Sequence, residues 1–149
     1  MTAGASGGSF VLDASVTLAR LLDAEAAPYA RSVFDAARDA RIDLWAPTLW
    51  PFEVANGLVQ AVRRGRLGQP DADRAASLVL SLGVRLAACT APDVLGDVRT
   101  LAARHTLTVC DAAYLYVARR TDGRLATIDG ALREAARREG VFLECEGAG

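Results

Sequence analysis

The chain contains no lysine: all 17 of its Lys and Arg residues are arginines. This absence excludes chemistries that depend on a lysine ammonium beside a phosphate group, such as those of P-loop nucleotide hydrolases, haloacid-dehalogenase-like phosphatases and response-regulator receivers. Histidine occurs once, as His105, so general bases other than carboxylates are scarce. A water molecule bound to a metal ion would need no such base.

Cysteine is also scarce. Cys89, Cys110 and Cys145 are odd in number and lack a Cys-x-x-Cys spacing, which argues against a disulfide framework or a thiolate zinc site and agrees with a reducing cytoplasm. No apolar run is long enough to cross a membrane, and residues 1–8 lack the basic and apolar regions of a signal peptide. We therefore expect a cytoplasmic protein with a disordered leader at 1–8, a single domain at 9–145 and a flexible tail at 146–149.

Neither sign of charge is in large excess, since the formal net charge is −1. The whole molecule therefore cannot steer a nucleic acid over long range, and any contact must depend on local patches. Two groups of arginines are candidates for phosphate contacts, although such groups are often only solvated surface. They are Arg63, Arg64 and Arg66, and Arg119, Arg120 and Arg124.

Short apolar runs alternate with helical patterns along the chain. The run Phe10–Leu12 is typical of a strand buried on both faces of a parallel sheet. Further strands are predicted at Leu44–Ala46, Val84–Ala87, Arg124–Ile128 and Val141–Leu143. Helices separate the first four strands and the last two, so the pattern predicts a three-layer α/β/α fold with a mostly parallel central sheet.

Four acids lie where predicted strands end or helices begin. Asp13 follows the first strand, with Ser15 as the predicted N-cap of the next helix, and Asp129 follows the fourth strand. Glu53 and Asp111 lie early in helices. We expect all four at one edge of the sheet, where ligands bind in such folds. Each acid also has a purely structural alternative as a strand terminator, a helix cap or part of a solvated helix face.

Four carboxylates that face one another repel strongly, and this repulsion would raise their pKa values unless a hard cation neutralised them. Mg²⁺ and Mn²⁺ accept oxygen ligands while keeping several waters for substrate. The sequence therefore predicts a Mg²⁺ or Mn²⁺ site at this edge of the sheet.

Four segments resemble the motifs of PIN-domain ribonucleases, and more narrowly those of the VapC toxins of bacterial toxin–antitoxin pairs. They are Val-Leu-Asp-Ala-Ser (11–15), Phe-Glu-Val-Ala-Asn (52–56), Leu-Thr-Val-Cys-Asp-Ala-Ala-Tyr (107–114) and Ala-Thr-Ile-Asp (126–129). The resemblance extends from about Phe10 to Leu143, in the family's order and spacing. Two positions depart from the pattern: Thr106 stands where glycine is frequent, and Cys110 stands where an aromatic residue is common.

The resemblance implies a catalytic, metal-binding quartet and three supporting polar residues. The quartet is Asp13, Glu53, Asp111 and Asp129, and the supporting residues are Ser15, Asn56 and Thr127. The implied activity is endoribonuclease cleavage of structured RNA, often transfer RNA, by metal-activated water. The implied assembly is a homodimer blocked by a cognate antitoxin protein, which would dock on apolar positions of the helices starting at Pro28 and near Trp50.

Two other classes of function stay open. The chain could be a binding module of the same fold that acts through protein partners without catalysis, although the complete set of four acids argues against a degenerate site. A metal-dependent phosphatase or DNA nuclease could use the same carboxylates.

Overall fold

Four parallel strands form the central sheet of the computed structural model, which describes residues 8–22 and 27–149. The strands are β1 (Ser9–Leu12), β2 (Asp43–Pro47), β3 (Arg85–Ala87) and β4 (Arg124–Ala126), in the order β3-β2-β1-β4. All three pairings are parallel. The apolar strand β1 lies inside the sheet, between β2 and β4, so its position agrees with the buried strand that its sequence predicts.

Helices cover the sheet and complete the three-layer α/β/α architecture that the sequence predicts. They are α1 (Ala14–Leu22), α2 (Pro28–Ala40), α3 (Trp50–Arg63), α4 (Gln69–Ser81), α5 (Ala91–Asp93), a π-helical turn (Val94–Val98), α6 (Arg99–His105), α7 (Val109–Arg120) and α8 (Gly130–Arg138). Helix α7 packs against β1, β2 and β4, whereas α1 packs against α2 and α3. In the part of the chain that the structure describes, no helix has the length and apolar character needed to cross a membrane.

Helix α7 forms the centre of the core. Its residues Tyr114, Leu115 and Val117 are fully buried. On α3 the predicted apolar face is also buried at Trp50, Val54 and Leu58, whereas Ala61 rather than Val62 completes it. Both helices are therefore held in place by the burial of an apolar face.

Three sequence predictions need correction at the element boundaries. Ser15 is not an N-cap, because α1 already begins at Ala14 and the amide of Val16 donates to the carbonyl of Asp13 (3.1 Å). Strand β4 ends at Ala126 instead of Ile128, and the amides of Ile128 and Asp129 donate to side-chain hydroxyls rather than to a neighbouring strand. The predicted last strand at 141–143 is reduced to a single bridge between Phe142 and Leu125.

The predicted leader at 1–8 lies, apart from Gly8, outside the described residues. The predicted tail at 146–149 is described, and the carbonyl of Gly149 accepts a hydrogen bond from Arg137 (2.7 Å).

Thr106 ends α6 in the left-handed conformation, with a φ of 54°. Its amide donates to the carbonyl of Ala102, which closes the last turn of the helix. A β-branched residue is sterically unfavourable in this conformation, whereas glycine adopts it freely. This geometry explains why glycine suits the position.

We expect Thr106→Gly to raise the free energy of unfolding by about 1 kcal/mol, because it removes the Cβ clash of the left-handed conformation. Thr106→Ala is the matched control: it retains a Cβ atom and should gain much less. Chemical denaturation of the three proteins measures the difference. Equal stability of the threonine and glycine proteins would contradict the prediction.

Candidate active site

Four separate elements carry the predicted acids. Asp13 follows β1 directly, and its amide donates to the carbonyl of Ala126 at the end of the neighbouring strand β4 (3.0 Å). Asp129 lies three residues after the end of β4 and is the N-cap of α8. Glu53 lies in the first turn of α3, and Asp111 lies in the first turn of α7.

Asp13 is the buried member of the four, with 6% of its surface exposed. Its Oδ2 atom accepts hydrogen bonds from Ser15 Oγ (2.7 Å) and Thr127 Oγ1 (2.8 Å). The pKa of Asp13 is raised to about 6: burial is the largest cause, the hydrogen bonds from the two hydroxyls act in the opposite direction, and the charges of Glu53 and Asp111 add to the rise. An ionised Asp13 is therefore costly for the fold in the absence of a cation.

The two hydroxyls also order the connection between β4 and α8. Ser15 Oγ accepts a hydrogen bond from the amide of Ile128 (3.1 Å), and Thr127 Oγ1 accepts one from the amide of Asp129 (3.1 Å). Each hydroxyl thus accepts a hydrogen bond from a backbone amide of this connection and donates one to the carboxylate of Asp13. The same bonds position the backbone that carries Asp129.

Glu53 is held by a residue that the sequence analysis did not assign to the site. The hydroxyl of Tyr114 donates to Glu53 Oε1 at 2.5 Å, and the tyrosine is fully buried in α7. Burial, the hydrogen bond to Glu53 and the charge of Asp13 raise the pKa of Tyr114, so its hydroxyl remains a proton donor. Tyr114 lies three residues after Asp111, on the same side of α7, and this spacing is the one sequence signal that points to it.

Helix-capping hydrogen bonds order the backbone around the other two acids. Thr108 caps α7, and its hydroxyl accepts a hydrogen bond from the amide of Asp111 (3.1 Å). Burial raises the pKa of Asp111, Thr108 lowers it, and the charge of Asp129 raises it. Asp129 Oδ1 accepts a hydrogen bond from the amide of Leu132 (2.9 Å), so its structural alternative as a helix cap is realised in the fold.

The pKa shifts link the acids electrostatically and correct one expectation. Asp13 responds to the charges of Glu53 and Asp111, and Asp111 responds to the charge of Asp129. We expected mutual repulsion to be the main cause of raised pKa values, but burial is the larger cause for both Asp13 and Asp111. Repulsion between the carboxylates raises both pKa values further.

The donor set suits a hard divalent cation in its chemistry, because it consists of carboxylate oxygens. The hydrogen bonds described above are accepted by Oδ2 of Asp13, Oε1 of Glu53 and Oδ1 of Asp129. The second carboxylate oxygen of each of these side chains takes no part in those bonds. Within residues 8–22 and 27–149, however, no three His, Cys, Asp or Glu side chains form a group that could hold a metal ion as they stand.

The predicted polar and basic residues lie in two different regions. Asn56 is exposed on α3, three residues after Glu53, and the first arginine group is exposed at the end of this helix. Arg119 and Arg120 lie at the opposite end of α7 from Asp111, and Arg124 begins β4 at the edge away from Asp13. Each group therefore has members at the far end of a helix whose first turn carries one of the acids.

We expect Asp13→Asn to stabilise the metal-free protein near pH 7.5 by up to roughly 3 kcal/mol, since two pKa units correspond to about that energy. Below its unfolded value of 3.8 Asp13 is protonated in both states, and the stability that this protonation provides is lost as the pH rises through about 6. An amide oxygen can accept the bonds from Ser15 and Thr127, so the variant keeps these contacts.

Thermal melts in chelator at pH 7.5 and at pH 4 measure this difference, which should shrink at the lower pH. Millimolar-scale Mg²⁺ or Mn²⁺ should then stabilise the wild type more than the variant, because a ligand of the native state shifts unfolding. Identical melting of the two proteins at both pH values would show that the charge of Asp13 is not costly.

No family model matches the chain. Ribonuclease VapC3 of Pyrobaculum aerophilum is 34% identical over 125 residues, an alignment that covers 83% of this chain and 92% of that protein. The PAE2754 protein of the same organism has a crystal structure with a TM-score of 0.64 and 26% identity, covering 97% of this chain and 90% of that one.

A second similar structure is that of VapC20 of Mycobacterium tuberculosis, described as a toxin that cleaves the sarcin–ricin loop. It has a TM-score of 0.63 and 21% identity, and it covers 91% of this chain and 98% of that one. At this identity the likeness concerns the fold alone. The extended match to Ribonuclease VapC3, together with the shared fold, establishes the identity: the chain belongs to the VapC-type PIN-domain ribonucleases.

Proposed function

We propose that the chain is a divalent-metal-dependent endoribonuclease whose substrate is a folded RNA. The observation that supports the proposal most directly is the buried carboxylate of Asp13, whose pKa is raised in part by the charges of Glu53 and Asp111. The chain also belongs to a ribonuclease family. A site that concentrates negative charge cannot receive a phosphodiester unless a cation lies between them.

The catalytic and metal-binding residues in this proposal are Asp13, Glu53, Asp111 and Asp129, and the cation is Mg²⁺ or Mn²⁺. When bound, the cation would supply water activation and a counter-charge for the phosphate. The residues of the chain orient the ligands. Ser15 and Thr127 fix one oxygen of Asp13, which directs the other oxygen away from them. Such supporting donors commonly change metal affinity by about 10- to 100-fold when they are lost.

The first arginine group is one proposed phosphate contact. Arg63, Arg64 and Arg66 are exposed at and beyond the end of α3, the helix whose first turn carries Glu53, and the exposed Asn56 lies between these positions. The similar protein VapC20 is described as cleaving the sarcin–ricin loop. The resemblance in sequence suggests transfer RNA as another substrate class.

The proposed assembly is that of a toxin with its cognate antitoxin, in the cytoplasm and as a homodimer. Large apolar side chains remain exposed on α3, notably Phe52 and Val59. They belong to one of the two helices on which docking is expected, and exposed apolar side chains of this size are typical of protein-binding surfaces.

Asp13→Asn should abolish metal-dependent RNA cleavage while the protein remains folded. The change removes one ligand charge and preserves the shape of the side chain. Asp73→Asn is the matched control, since Asp73 is an exposed acid on α4 outside the quartet. Gel analysis of RNA incubated with Mg²⁺ or Mn²⁺ measures the loss. A folded Asp13→Asn protein that cuts at the wild-type rate would contradict the assignment.

The same assay separates the alternative functions. Cleavage of single- or double-stranded DNA or of a small phosphate ester, with RNA left intact, would favour a DNA nuclease or phosphatase that uses the same acids. A wild-type protein that cleaves none of these substrates would favour the module that acts through protein partners.

Tyr114→Phe tests the hydroxyl that holds Glu53. The variant keeps the buried ring and loses the donor at 2.5 Å, so we expect about 10-fold weaker metal binding, at the lower end of the effect of such supporting groups. Calorimetric titration with Mn²⁺ measures the affinity, and excess metal should restore cleavage. Tyr29→Phe is the control, because the hydroxyl of Tyr29, also a buried residue, donates to the carbonyl of Leu143, outside the quartet. Unchanged metal affinity in Tyr114→Phe would refute a positioning role.

A further inference from the structure

We propose that a cleft at the C-terminal end of α7 is a second RNA contact, which binds the phosphate backbone away from the four acids. The inference rests on the proposed ribonuclease function. The cleft has a volume of about 460 Å³ and lies between α6 and α7. We call it the arginine cleft, and its polar lining consists of Arg104, Arg119, Arg120, Tyr116, Thr100 and Asp97.

The cations of the arginine cleft face solvent, and most of the carboxylates that pair with them lie behind. The side chains of Arg104, Arg119 and Arg120 are 54%, 51% and 41% exposed, whereas those of Glu139 and Asp93 are 14% and 27% exposed. Asp97 is the acid in the lining itself. The exposed face therefore presents three guanidinium groups and one carboxylate.

One carboxylate holds two of these arginines from behind. Glu139 Oε1 accepts a hydrogen bond from Arg104 (3.0 Å) and lies 2.7 Å from Nε2 of His105, while Oε2 lies 3.9 Å from Arg119. The hydrogen bond with His105 and the two guanidinium groups lower the pKa of Glu139, so it stays ionised. The position of Arg104 is thus set before any ligand binds, and Arg119 lies beside the same carboxylate.

Arg120 is fixed by different partners. Its Nη2 atom donates to the carbonyl of Ala88 (2.9 Å), Nη1 lies 3.8 Å from Asp93, and the guanidinium lies 5.5 Å from the centre of the Tyr116 ring. A guanidinium has five N–H donors in a planar fork, which suits the oxygens of a phosphate. The contacts described here leave donors of each arginine for such a ligand. Fixing the donors in advance lowers the entropic cost of binding.

The position of the cleft and the exposure of its arginines favour an RNA backbone over a small anion as the ligand. Asp111 and Arg120 lie nine positions apart on α7, which corresponds to about 13 Å along a helix. The arginine heads are half-exposed in an open cleft rather than enclosed in a pocket. An RNA that contacts both ends of α7 must therefore be long or folded, and a short oligonucleotide in the active site would not reach the cleft.

The experiment compares RNA binding in Mg²⁺ to full-length proteins that all carry Asp13→Asn, the change expected to block metal-dependent cleavage. One variant combines Arg104→Gln, Arg119→Gln and Arg120→Gln. The matched control combines Arg38→Gln, Arg74→Gln and Arg138→Gln, which also removes three exposed arginines from ion pairs. Each protein is titrated with a stem–loop of about 20 nucleotides and with a single-stranded tetranucleotide at several salt concentrations, because each lost phosphate contact lowers the salt slope by about 0.7 to 0.9.

We expect the cleft variant to bind the stem–loop at least about 10-fold more weakly than the control variant. The slope of log affinity against log salt concentration should decrease by the amount that corresponds to about two phosphate contacts. Both variants should bind the tetranucleotide alike. If the triple variant melts far below the wild type, Arg119→Gln alone is used, since its ion pair at 3.9 Å is the longest of the three. That variant should bind the stem–loop a few-fold more weakly.

Equal stem–loop affinity of the cleft and control variants would overturn the proposal. Titration with pyrophosphate identifies the other occupant: binding that is lost in the cleft variant, with stem–loop binding unaffected, would make the cleft a small-anion site and also overturn it. The proposed nuclease activity fails separately, if the wild type binds the stem–loop through the cleft but cleaves no RNA with metal.

Discussion

The buried charge of Asp13 is the constraint on which the rest of the site depends. The carboxylate lies at the end of the strand between β2 and β4, where burial opposes its ionisation. Ser15 and Thr127 offset part of this cost, and the same two hydroxyls hold the connection that leads to Asp129. The ionisation of Asp13 and the arrangement of β1, β4 and α8 around it are therefore coupled. A bound cation would offset the free-energy cost of the buried charge.

The sequence predicted the features that leave a local signal. The continuous apolar run of β1 and the position of Asp13 after it define a buried strand and its end, and the parallel order of the sheet follows from the alternation of strands and helices. The roles of Ser15 and Tyr114 left weaker signals. A helix cap and a first-turn residue differ by one position, and the bond between Tyr114 and Glu53 joins residues 61 positions apart.

The arginines show how spacing along the chain can mislead. Arg119 and Arg120 are eight and nine positions from Asp111, but a helix of that length places them at its other end. The first group likewise lies at and beyond the end of α3, whose first turn carries Glu53. A sequence pattern identifies both groups as basic, but the direction of the helices places each group far along its helix from the acid, so a ligand that contacts both must be long or folded.

Helix ends explain much of this charge distribution without any ligand. Asp111 lies near the N-terminus of α7, Asp129 caps α8, and Arg119 and Arg120 lie in the last turn of α7, and the helix dipole favours each of these positions. Asp13 differs, because burial raises its pKa and an amide oxygen would accept the same hydrogen bonds from Ser15 and Thr127. The fold requires the shape and the acceptor but not the negative charge. That charge is therefore best explained by a cation and the reaction it supports.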